Sequence, residues 1–283
     1  MTKAISSKYK NMYQENGYLL INNVLNDTEV KKAQSAIDMI LTNAKNLPAN
    51  SVEFEAEDPS ICQRIWNVSQ FDKIFEHISR KTKLLDLVEL LIGKNIVCQY
   101  AKVNIKAPKI GSLVDWHQDF AYYPHTNTDI LTCIIYLDDA NIDNGCLKVI
   151  KKSQQFGLID HSDNDNFFCG KILKPFNQLK KSDLIYCDAP AGSAVILHGL
   201  VVHGSDKNLS LHPRRVLIIS YRASDCFPIY FGIHSDRIIE HEKNIKIVRG
   251  QESKYARVES NSWKLPISRK LFSSIYRLQA DSK

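Results

Sequence analysis

Hydrophobic residues at helical spacing mark the first third of the chain. A short strand-like run at 17–25 is followed by Asn26, which stands three residues before Glu29 in the spacing of a helix capping box. The helix predicted after this cap carries its hydrophobic face at Val30, Ala33, Ile37, Ile40, Leu41 and Ala44. A second helical region is predicted from about Phe71 to Ile92. This part of the chain is therefore expected to form a helical layer.

From Val97 onward the pattern changes to short hydrophobic or alternating runs rich in β-branched and aromatic residues. Glycine, asparagine, aspartate and proline separate the runs, as in the turn signal at 143–145. This pattern is typical of an antiparallel barrel or sandwich. The runs lie at 97–107, 131–140, 146–150, 183–189, 193–204 and 214–223.

The 283 residues have room for one large domain, and we find no linker or internal repeat that would divide them. A hydrophobic fraction of 44% and a charged fraction of 24% are those of a folded globular protein. We expect a single domain over 1–283, with a helical part over about 1–95, a β core over about 96–225 and a C-terminal extension over about 226–283.

The net charge of +6, from 37 basic and 31 acidic residues, is too small and scattered to require a nucleic-acid partner. Much of the excess lies near the C-terminus, where we interpret it as the solvated face of a terminal helix. An anionic small molecule suits the charge equally well. We therefore expect a small-molecule substrate, no nucleic acid, and a monomer or homodimer.

The seven cysteines form an odd set without a C-x-x-C pair. This favours reduced, mostly buried thiols in the cytoplasm over a disulfide scaffold or a zinc ribbon. Residues 1–17 contain no hydrophobic stretch of the secretory type, and no run approaches the roughly 20 hydrophobic residues that a membrane span needs. We expect a cytoplasmic protein without a membrane span.

The candidate metal ligands are His117, Asp119 and His203. His117 and Asp119 are two positions apart, so on an extended strand both side chains point to one face. A barrel can bring His203, in another strand-like run, beside them. Two histidines and one carboxylate on one face of an octahedron leave open positions, the arrangement typical of non-haem Fe(II) oxygenases. H-x-D alone is a weak signal, because a lone histidine on a strand is more often structural.

An arginine after the distal histidine strengthens this interpretation. Arg214 lies eleven residues past His203, and its planar guanidinium matches a carboxylate bidentately. Arg215 would face the opposite side. Without His203, we would interpret Arg214 and Arg215 as two surface charges beside a strand. The other histidines lack a partner at metal spacing, and His198 is expected to be packed or hydrogen-bonded; those interpreted as structural or exposed are His77, His125, His161, His212, His234 and His241.

The sequence resembles the phytanoyl-CoA dioxygenase family of Fe(II)/2-oxoglutarate oxygenases. The matching stretches are WHQDFAYY at 116–123, LTCIIYLDDANIDNGCLKVI at 131–150, PAGSAVILHGLVVHGSDKNLS at 190–210 and PRRVLIISYRA at 213–223. The resemblance covers nearly the whole chain and weakens after about Pro228. It implies a mainly β fold with a helical layer around a double-stranded β-helix core, the cupin-like jelly roll.

The resemblance also implies roles for individual residues. Iron would be held by His117, Asp119 and His203, and 2-oxoglutarate, the co-substrate of O₂, by Arg214 and Ser205. Further candidates for the co-substrate are Asn104, Lys102, Gln99 and Arg64. In related halogenases a small residue replaces the carboxylate ligand, so the retained Asp119 favours hydroxylation.

Substrate-facing residues are expected beside the iron, at Phe120, Tyr122, Tyr123 and Arg222. Where the family usually has a Pro-Gly-Ser-His turn after NGCL, this chain has Lys151-Lys152-Ser153-Gln154, a change near the mouth of the site that bears on substrate choice. Aromatic walls with a few cations suit a small polar or anionic metabolite, such as an amino acid, a phosphonate or an acyl thioester.

Three alternatives stay open at this point. A non-catalytic relative could keep the fold as a binding module. A metal-dependent cupin that works without 2-oxoglutarate would keep the metal ligands but would not need Arg214. A nucleic-acid or protein demethylase would need an extended basic groove, of which only the scattered C-terminal charges give a hint.

Overall fold

The computed structural model describes residues 3–48, 51–55, 58–173, 180–229, 242, 245–268 and 275–280. Five α-helices lie in these ranges: α1 (Lys3–Asn16), α2 (Asp27–Thr42), α3 (Lys73–Ser79), α4 (Thr82–Ile92) and α5 (Ile275–Ala280). Among the described residues, no helix combines the length and the hydrophobicity needed to cross a bilayer.

The same ranges contain twelve β-strands. They are β1 (Tyr18–Ile21), β2 (Val52–Phe54), β3 (Cys62–Ile65), β4 (Ile96–Lys106), β5 (Val114–His117), β6 (Ile130–Tyr136), β7 (Leu147–Ile150), β8 (Leu184–Tyr186), β9 (Ala194–His198), β10 (His203–Ser205), β11 (Arg214–Ala223) and β12 (Lys246–Arg249).

The predicted capping box is present at the start of α2. The Asn26 side chain accepts a hydrogen bond from the backbone N–H of Glu29, and the Glu29 carboxylate accepts one from the backbone N–H of Asn26. Each bond satisfies a backbone group that the helix itself leaves without a partner. Val30, Ala33 and Ile37 are buried on the inner face of this helix, as predicted.

The helical region predicted from about Phe71 to Ile92 consists of two helices, α3 and α4. The Ser79 carbonyl accepts a hydrogen bond from the Tyr221 hydroxyl on β11, 2.8 Å away, and so is directed out of the helical ladder. Lys81 then adopts an extended conformation as the N-cap of α4. Helix α1 was not predicted, since its residues are mostly polar and only Tyr13 is buried.

Two antiparallel sheets build the core. The larger sheet has the order β1-β9-β6-β11-β4-β3-β2, with β12 also paired to β4, and the smaller has the order β5-β10-β7-β8. Strands β1 to β3 and β12 come from outside the predicted core at 96–225 and extend the larger sheet. The helical layer packs against this sheet through a hydrophobic cluster that includes Ile37 and Phe75.

The run at 193–204, predicted as one strand, forms two strands in different sheets. Strand β9 pairs with β1 and β6 in the larger sheet, whereas β10 pairs with β5 and β7 in the smaller one. Gly199 lies at the change of direction, and a Cβ there would approach an Ile130 side-chain carbon to 2.9 Å. This crossing carries His203 away from β9 and onto the strand beside β5.

Candidate active site

A cavity of about 1470 Å³ opens between the two sheets. Its wall includes side chains of β4, β6 and β11 from the larger sheet and of β5, β7 and β10 from the smaller one. All three predicted metal ligands line this cavity. Arg64, Gln99, Lys102, Asn104, Tyr122, Tyr123, Ser205 and Arg214 line it as well.

The three candidate ligands converge on one point. His117 ends β5, Asp119 begins the 3₁₀ turn Asp119–Ala121, and His203 begins β10 directly opposite His117. Asp119 Oδ1 lies 3.8 Å from His117 Nε2 and 3.7 Å from His203 Nε2. One possible ligand atom from each residue lies within 4.8 Å of the others, a cluster that a single cation can contact.

Hydrogen bonds fix the direction of each ligand. Nδ1 of His117 lies 2.8 Å from the Asp115 carbonyl, and Nδ1 of His203 lies 2.9 Å from the Val201 carbonyl. Because a carbonyl only accepts, both rings carry their proton on Nδ1 and leave the Nε2 lone pair for a metal. The Thr132 hydroxyl donates to Asp119 Oδ2 at 2.6 Å, which leaves Oδ1 directed at the histidines.

Burial and neighbouring charges keep these ligands in the states that a metal requires. Burial lowers the pKa of His117 well below its usual value, and the neighbouring His203 lowers it further. Burial raises the pKa of Asp119, but the two imidazoles, the Thr132 hydroxyl and Lys102 outweigh it, so the pKa is lowered overall. The His117 ring is therefore neutral and the Asp119 carboxyl ionised near neutral pH.

Arg214 is a buried cation without a described partner. Only 5% of its surface is exposed, its Nε has no hydrogen-bond partner, and no ion pair joins it to any described residue. Its neighbour Arg215 points out of the cavity and pairs with Asp138 at 2.8 Å and with Asp38 at 3.0 Å. A buried guanidinium without an acceptor is costly, and a carboxylate bound beside it offsets that cost.

Ser205 lines the cavity from the smaller sheet, and the pair Arg64 and Asn104 lines it from the larger one. Ser205 is buried, and none of the described residues hydrogen-bonds its hydroxyl. Arg64 donates from Nε to Asn104 Oδ1 at 2.9 Å, pairs with Glu53 at 3.4 Å and stacks on Trp66. These contacts give the planar guanidinium of Arg64 a fixed position.

Gln99 and Lys102 precede Asn104 on β4 and so lie further from Arg214 in the β4–β11 register. The Gln99 amide is used within the protein, since it contacts His125 Nε2 at 2.9 Å and accepts from Ser220 at 3.0 Å. The Lys102 ammonium lies over the rings of Trp66 and Tyr100, at 4.7 and 5.1 Å from their centres. Both residues therefore stand away from Arg214.

Two predicted substrate-facing residues require correction. Phe120 is fully buried outside the cavity wall, because the 3₁₀ turn directs its ring onto Trp263, 4.9 Å away. Arg222 is also absent from the wall, since it is 1% exposed and pairs with Glu242 at 2.8 Å. Tyr122 and Tyr123 do line the cavity, and the Tyr122 ring stands edge-on to that of His117 at 5.8 Å.

The remaining histidines that the structure describes divide into three groups. His161 Nε2 accepts a hydrogen bond from the Gln118 N–H, and His198 Nδ1 accepts one from the Leu200 N–H, so both are structural as predicted. Burial lowers the pKa of each to about 4. His125 is buried, as its structural interpretation required, but it also lines the cavity. The exposed ones are His77 and His212, and the predictions for His234 and His241 lie outside the described residues.

Sequence reasoning missed Thr132 and Tyr100. Both face the cavity from the larger sheet, and Thr132 orients a metal ligand held by the smaller sheet. Tyr100 stands two positions before Lys102 on β4, so the alternation of side chains along a strand could have identified it. Nothing in the local sequence around Thr132 indicates a partner thirteen residues earlier in the chain.

Fold and site together define a double-stranded β-helix protein with two histidines and one carboxylate gathered at one point of its cavity. Residues 13–216 match the sequence model of the phytanoyl-CoA dioxygenase (PhyH) family. The chain belongs to this family. The predicted family, jelly-roll fold, dioxygenase class and use of iron and 2-oxoglutarate are thereby confirmed.

Relatives and solved structures agree with this assignment. The chain is 29% identical over 225 residues to a probable alpha-ketoglutarate-dependent hypophosphite dioxygenase of Stutzerimonas stutzeri, covering 77% of this chain and 78% of the relative. It is 27% identical over 234 residues to L-proline trans-4-hydroxylase of Streptomyces griseoviridis, covering 74% and 83%. The fold resembles the epimerase SnoN, solved with Fe³⁺, alpha-ketoglutarate and nogalamycin RO, with a TM-score of 0.66 at 18% identity over 80% and 86% of the two chains.

Proposed function

We propose that this protein hydroxylates a C–H bond of a small polar or anionic metabolite, with iron held by His117, Asp119 and His203. Arg214 and Ser205 would hold the distal carboxylate of 2-oxoglutarate. The observation that carries the proposal is the buried guanidinium of Arg214, which pairs with none of the described residues and lies in the same cavity as the three candidate ligands. A cupin that does not use 2-oxoglutarate would have no need for this buried cation.

The donor set fits ferrous iron. Two imidazole nitrogens and one carboxylate oxygen on one side of a cation leave the other side open to ligands from solution. When bound, iron and 2-oxoglutarate supply the oxidation, in which O₂ is consumed, 2-oxoglutarate becomes succinate and CO₂, and the substrate gains an oxygen atom.

The chain's own residues supply position and environment. The backbone carbonyls of Asp115 and Val201 hold the two imidazoles in one tautomer, and Thr132 holds the carboxylate. The aromatic side chains of Tyr122 and Tyr123 narrow the cavity beside the ligands and limit the access of water. These contacts keep the metal-binding atoms directed inward before any ligand arrives.

Arg64 and Asn104 support the co-substrate from β3 and β4, in the same sheet as Arg214. Asn104 opposes Val216 on β11, two residues from Arg214, so this pair lies near the predicted carboxylate site. The Arg64 guanidinium already has acceptors in Asn104 and Glu53. We therefore propose that the positive charge of Arg64 attracts the co-substrate carboxylate from nearby. Arg214 would contact that carboxylate directly. Gln99 stands toward the other end of β4 and its amide is used within the protein, so we propose no co-substrate contact for it. Lys102, two residues from Asn104, stays a predicted co-substrate residue.

A small substrate is supported by the names of the relatives. The hypophosphite dioxygenase and the proline hydroxylase named above act on small, polar molecules. The retained Asp119 favours hydroxylation over halogenation. All seven cysteines are free and six are buried, which suits the reducing conditions of the cytoplasm. That the protein is a monomer or a homodimer stays a prediction.

Succinate formation in air tests the proposal. The Fe(II)-loaded protein is incubated with 2-oxoglutarate and a panel of small acids, amines and phosphonates, beside His203→Ala and Arg214→Met. We expect one class of panel member to stimulate succinate release in the wild type and in neither variant. Tight iron binding without any consumption of 2-oxoglutarate would favour the cupin or non-catalytic alternative.

A further inference from the structure

Helix α5 contacts both sheets beside the cavity. Near its C-terminal end, Gln279 accepts a hydrogen bond at 2.9 Å from the backbone N–H of Asp115, which lies on β5 in the smaller sheet. Near its N-terminal end, the Tyr276 ring lies on the guanidinium of Arg64, which belongs to β3 in the larger sheet. Ile275 and Tyr276 line the cavity. The helix therefore connects the two sheets and forms part of the wall between them.

The two attachment points of α5 lie at the end of the cavity where 2-oxoglutarate is proposed to bind. In the larger sheet, Arg64 opposes Asn104 on β4. Asn104 in turn opposes the residue two positions after Arg214 on β11. In the smaller sheet, Ser205 opposes the residue just before Asp115. Each attachment point is thus only a few residues, along or across the strands, from one of the two residues proposed to hold the distal carboxylate.

The Tyr276 ring rests on a fixed support. The centre of this ring lies 4.8 Å from the guanidinium carbon of Arg64, and the centre of the Trp66 ring lies 5.0 Å from the same carbon. The guanidinium is itself held by Asn104 at 2.9 Å and by Glu53 at 3.4 Å. Cation–π contacts with a guanidinium held in this way restrict the movement of the tyrosine ring.

The Tyr276 hydroxyl is a hydrogen-bond donor that the protein does not use. Within the ranges that the structure describes, no residue hydrogen-bonds it. Burial raises the pKa of Tyr276, and the nearby charges of Arg64 and Arg214 reduce this rise without cancelling it. The phenol therefore keeps its proton near neutral pH, at a position close enough to Arg214 for their charges to interact.

Resting on the function proposed above, we propose that the Tyr276 hydroxyl donates a hydrogen bond to the distal carboxylate of 2-oxoglutarate, beside Arg214. The two oxygens of a carboxylate offer about four acceptor positions, which is more than one guanidinium fills. A hydroxyl that donates to an ionised carboxylate forms one of the stronger hydrogen bonds in proteins. The proposal gives the C-terminal extension a role in binding the co-substrate, at a residue that sequence reasoning did not consider.

Binding measured without turnover tests the inference. The protein is loaded with Fe(II) under anaerobic conditions, and calorimetric titrations use 2-oxoglutarate and 2-oxopentanoate. The second ligand is the same 2-oxo acid with a methyl group in place of the distal carboxylate. The variant is Tyr276→Phe, which keeps the ring on Arg64 and removes only the hydroxyl. Tyr255→Phe is the matched control, because the Tyr255 side chain is exposed and lies outside the cavity wall.

We expect the wild type to bind 2-oxoglutarate more tightly than 2-oxopentanoate. Tyr276→Phe should weaken 2-oxoglutarate binding by about tenfold, the size of a lost hydrogen bond to a charged group. It should leave the affinity for 2-oxopentanoate unchanged, because this ligand has no distal carboxylate for the phenol to hold. The affinity for Fe(II), measured with a chromogenic chelator, should also be unchanged. Tyr255→Phe should match the wild type throughout.

Unchanged 2-oxoglutarate affinity in Tyr276→Phe would overturn the inference. An equal loss for both ligands, or a loss of Fe(II) affinity, would overturn it too, because Tyr276 would then shape the cavity without holding the carboxylate. A wild-type protein that binds Fe(II) but not 2-oxoglutarate would instead overturn the proposed function itself.

Discussion

His203 lies directly opposite His117 in the β5–β10 ladder, and each ring donates from Nδ1 to the backbone carbonyl two residues before it. The acceptors are carbonyls of Asp115 and Val201, so among the described residues the histidines are held by backbone hydrogen bonds rather than by side-chain ones. The only ligand held by a side chain among the described residues is Asp119, through Thr132. Among residues other than the three candidate ligands, Thr132 should therefore be the one whose substitution affects metal affinity most.

Thr132→Val should lower the affinity for Fe(II) by about tenfold, a typical loss when the group that orients a metal ligand is removed. Valine keeps the shape of the buried side chain but leaves Asp119 Oδ2 without its donor. Competition with a chromogenic chelator measures the affinity. Thr128→Val is the control, since the Thr128 hydroxyl donates to Glu259 away from the ligands. Equal affinities for both variants and the wild type would show that Thr132 does not orient Asp119.

Arg214→Met should leave the free energy of unfolding of the metal-free protein unchanged, or raise it by about 1 kcal/mol. The reason is that a buried charge without a partner is replaced by a hydrophobic side chain of similar length. Arg215→Met should lower stability instead, because it removes the ion-pair partner of Asp138. Urea unfolding measures both. A marked loss of stability in Arg214→Met would mean that the guanidinium has a structural partner.

The metal ligands and Arg214 could be predicted from sequence because their residue types and spacing carry the chemistry. The β-strands that bear them were also predictable, since buried strands rich in β-branched residues leave a strong local pattern. Phe120 was misplaced because a 3₁₀ turn, and not a strand, follows His117. Arg222 was misplaced because its partner Glu242 is twenty residues away and no local pattern indicates the pair.

Helix α5 at the C-terminal end adds a tertiary contact that the sequence does not reveal. Gln279 accepts a hydrogen bond from the Asp115 N–H at 2.9 Å and donates one to the Gly170 carbonyl at 2.7 Å. Asp115 lies on β5, the strand that ends at His117. In addition, Tyr276 stacks on Arg64 with its ring centre 4.8 Å from the guanidinium carbon. Part of the cavity wall therefore depends on a segment far from the jelly-roll strands in sequence.

Gln279→Ala should lower the free energy of unfolding by about 1 kcal/mol, because it leaves the part-buried Asp115 N–H without its acceptor and removes one of the two donors to the Gly170 carbonyl. Hydrogen exchange at the Asp115 amide should become faster in the same variant. Gln251→Ala, at an exposed side chain, should change neither quantity. Unchanged exchange at Asp115 would show that α5 does not hold β5.

Stability should fall as the pH is lowered from about 6.5 toward 4, in part through His198. Burial lowers the pKa of His198 to about 4, so the unfolded chain binds more protons than the folded protein in this interval. A single such histidine contributes at most about 1.4 kcal/mol per pH unit. Urea unfolding at several pH values should give a smaller slope for His198→Gln than for the wild type. An identical slope would exclude this contribution.

Equilibrium dialysis of 2-oxoglutarate under anaerobic conditions tests the central claim most directly. The protein is compared with Fe(II), without metal, and as the Arg214→Met variant with Fe(II). We predict about one 2-oxoglutarate per chain for the ferrous wild type, and affinity lowered by about tenfold or more when either the metal or the Arg214 guanidinium is removed. Binding that is absent from the ferrous wild type, or indifferent to both changes, would contradict an iron and 2-oxoglutarate site in this cavity.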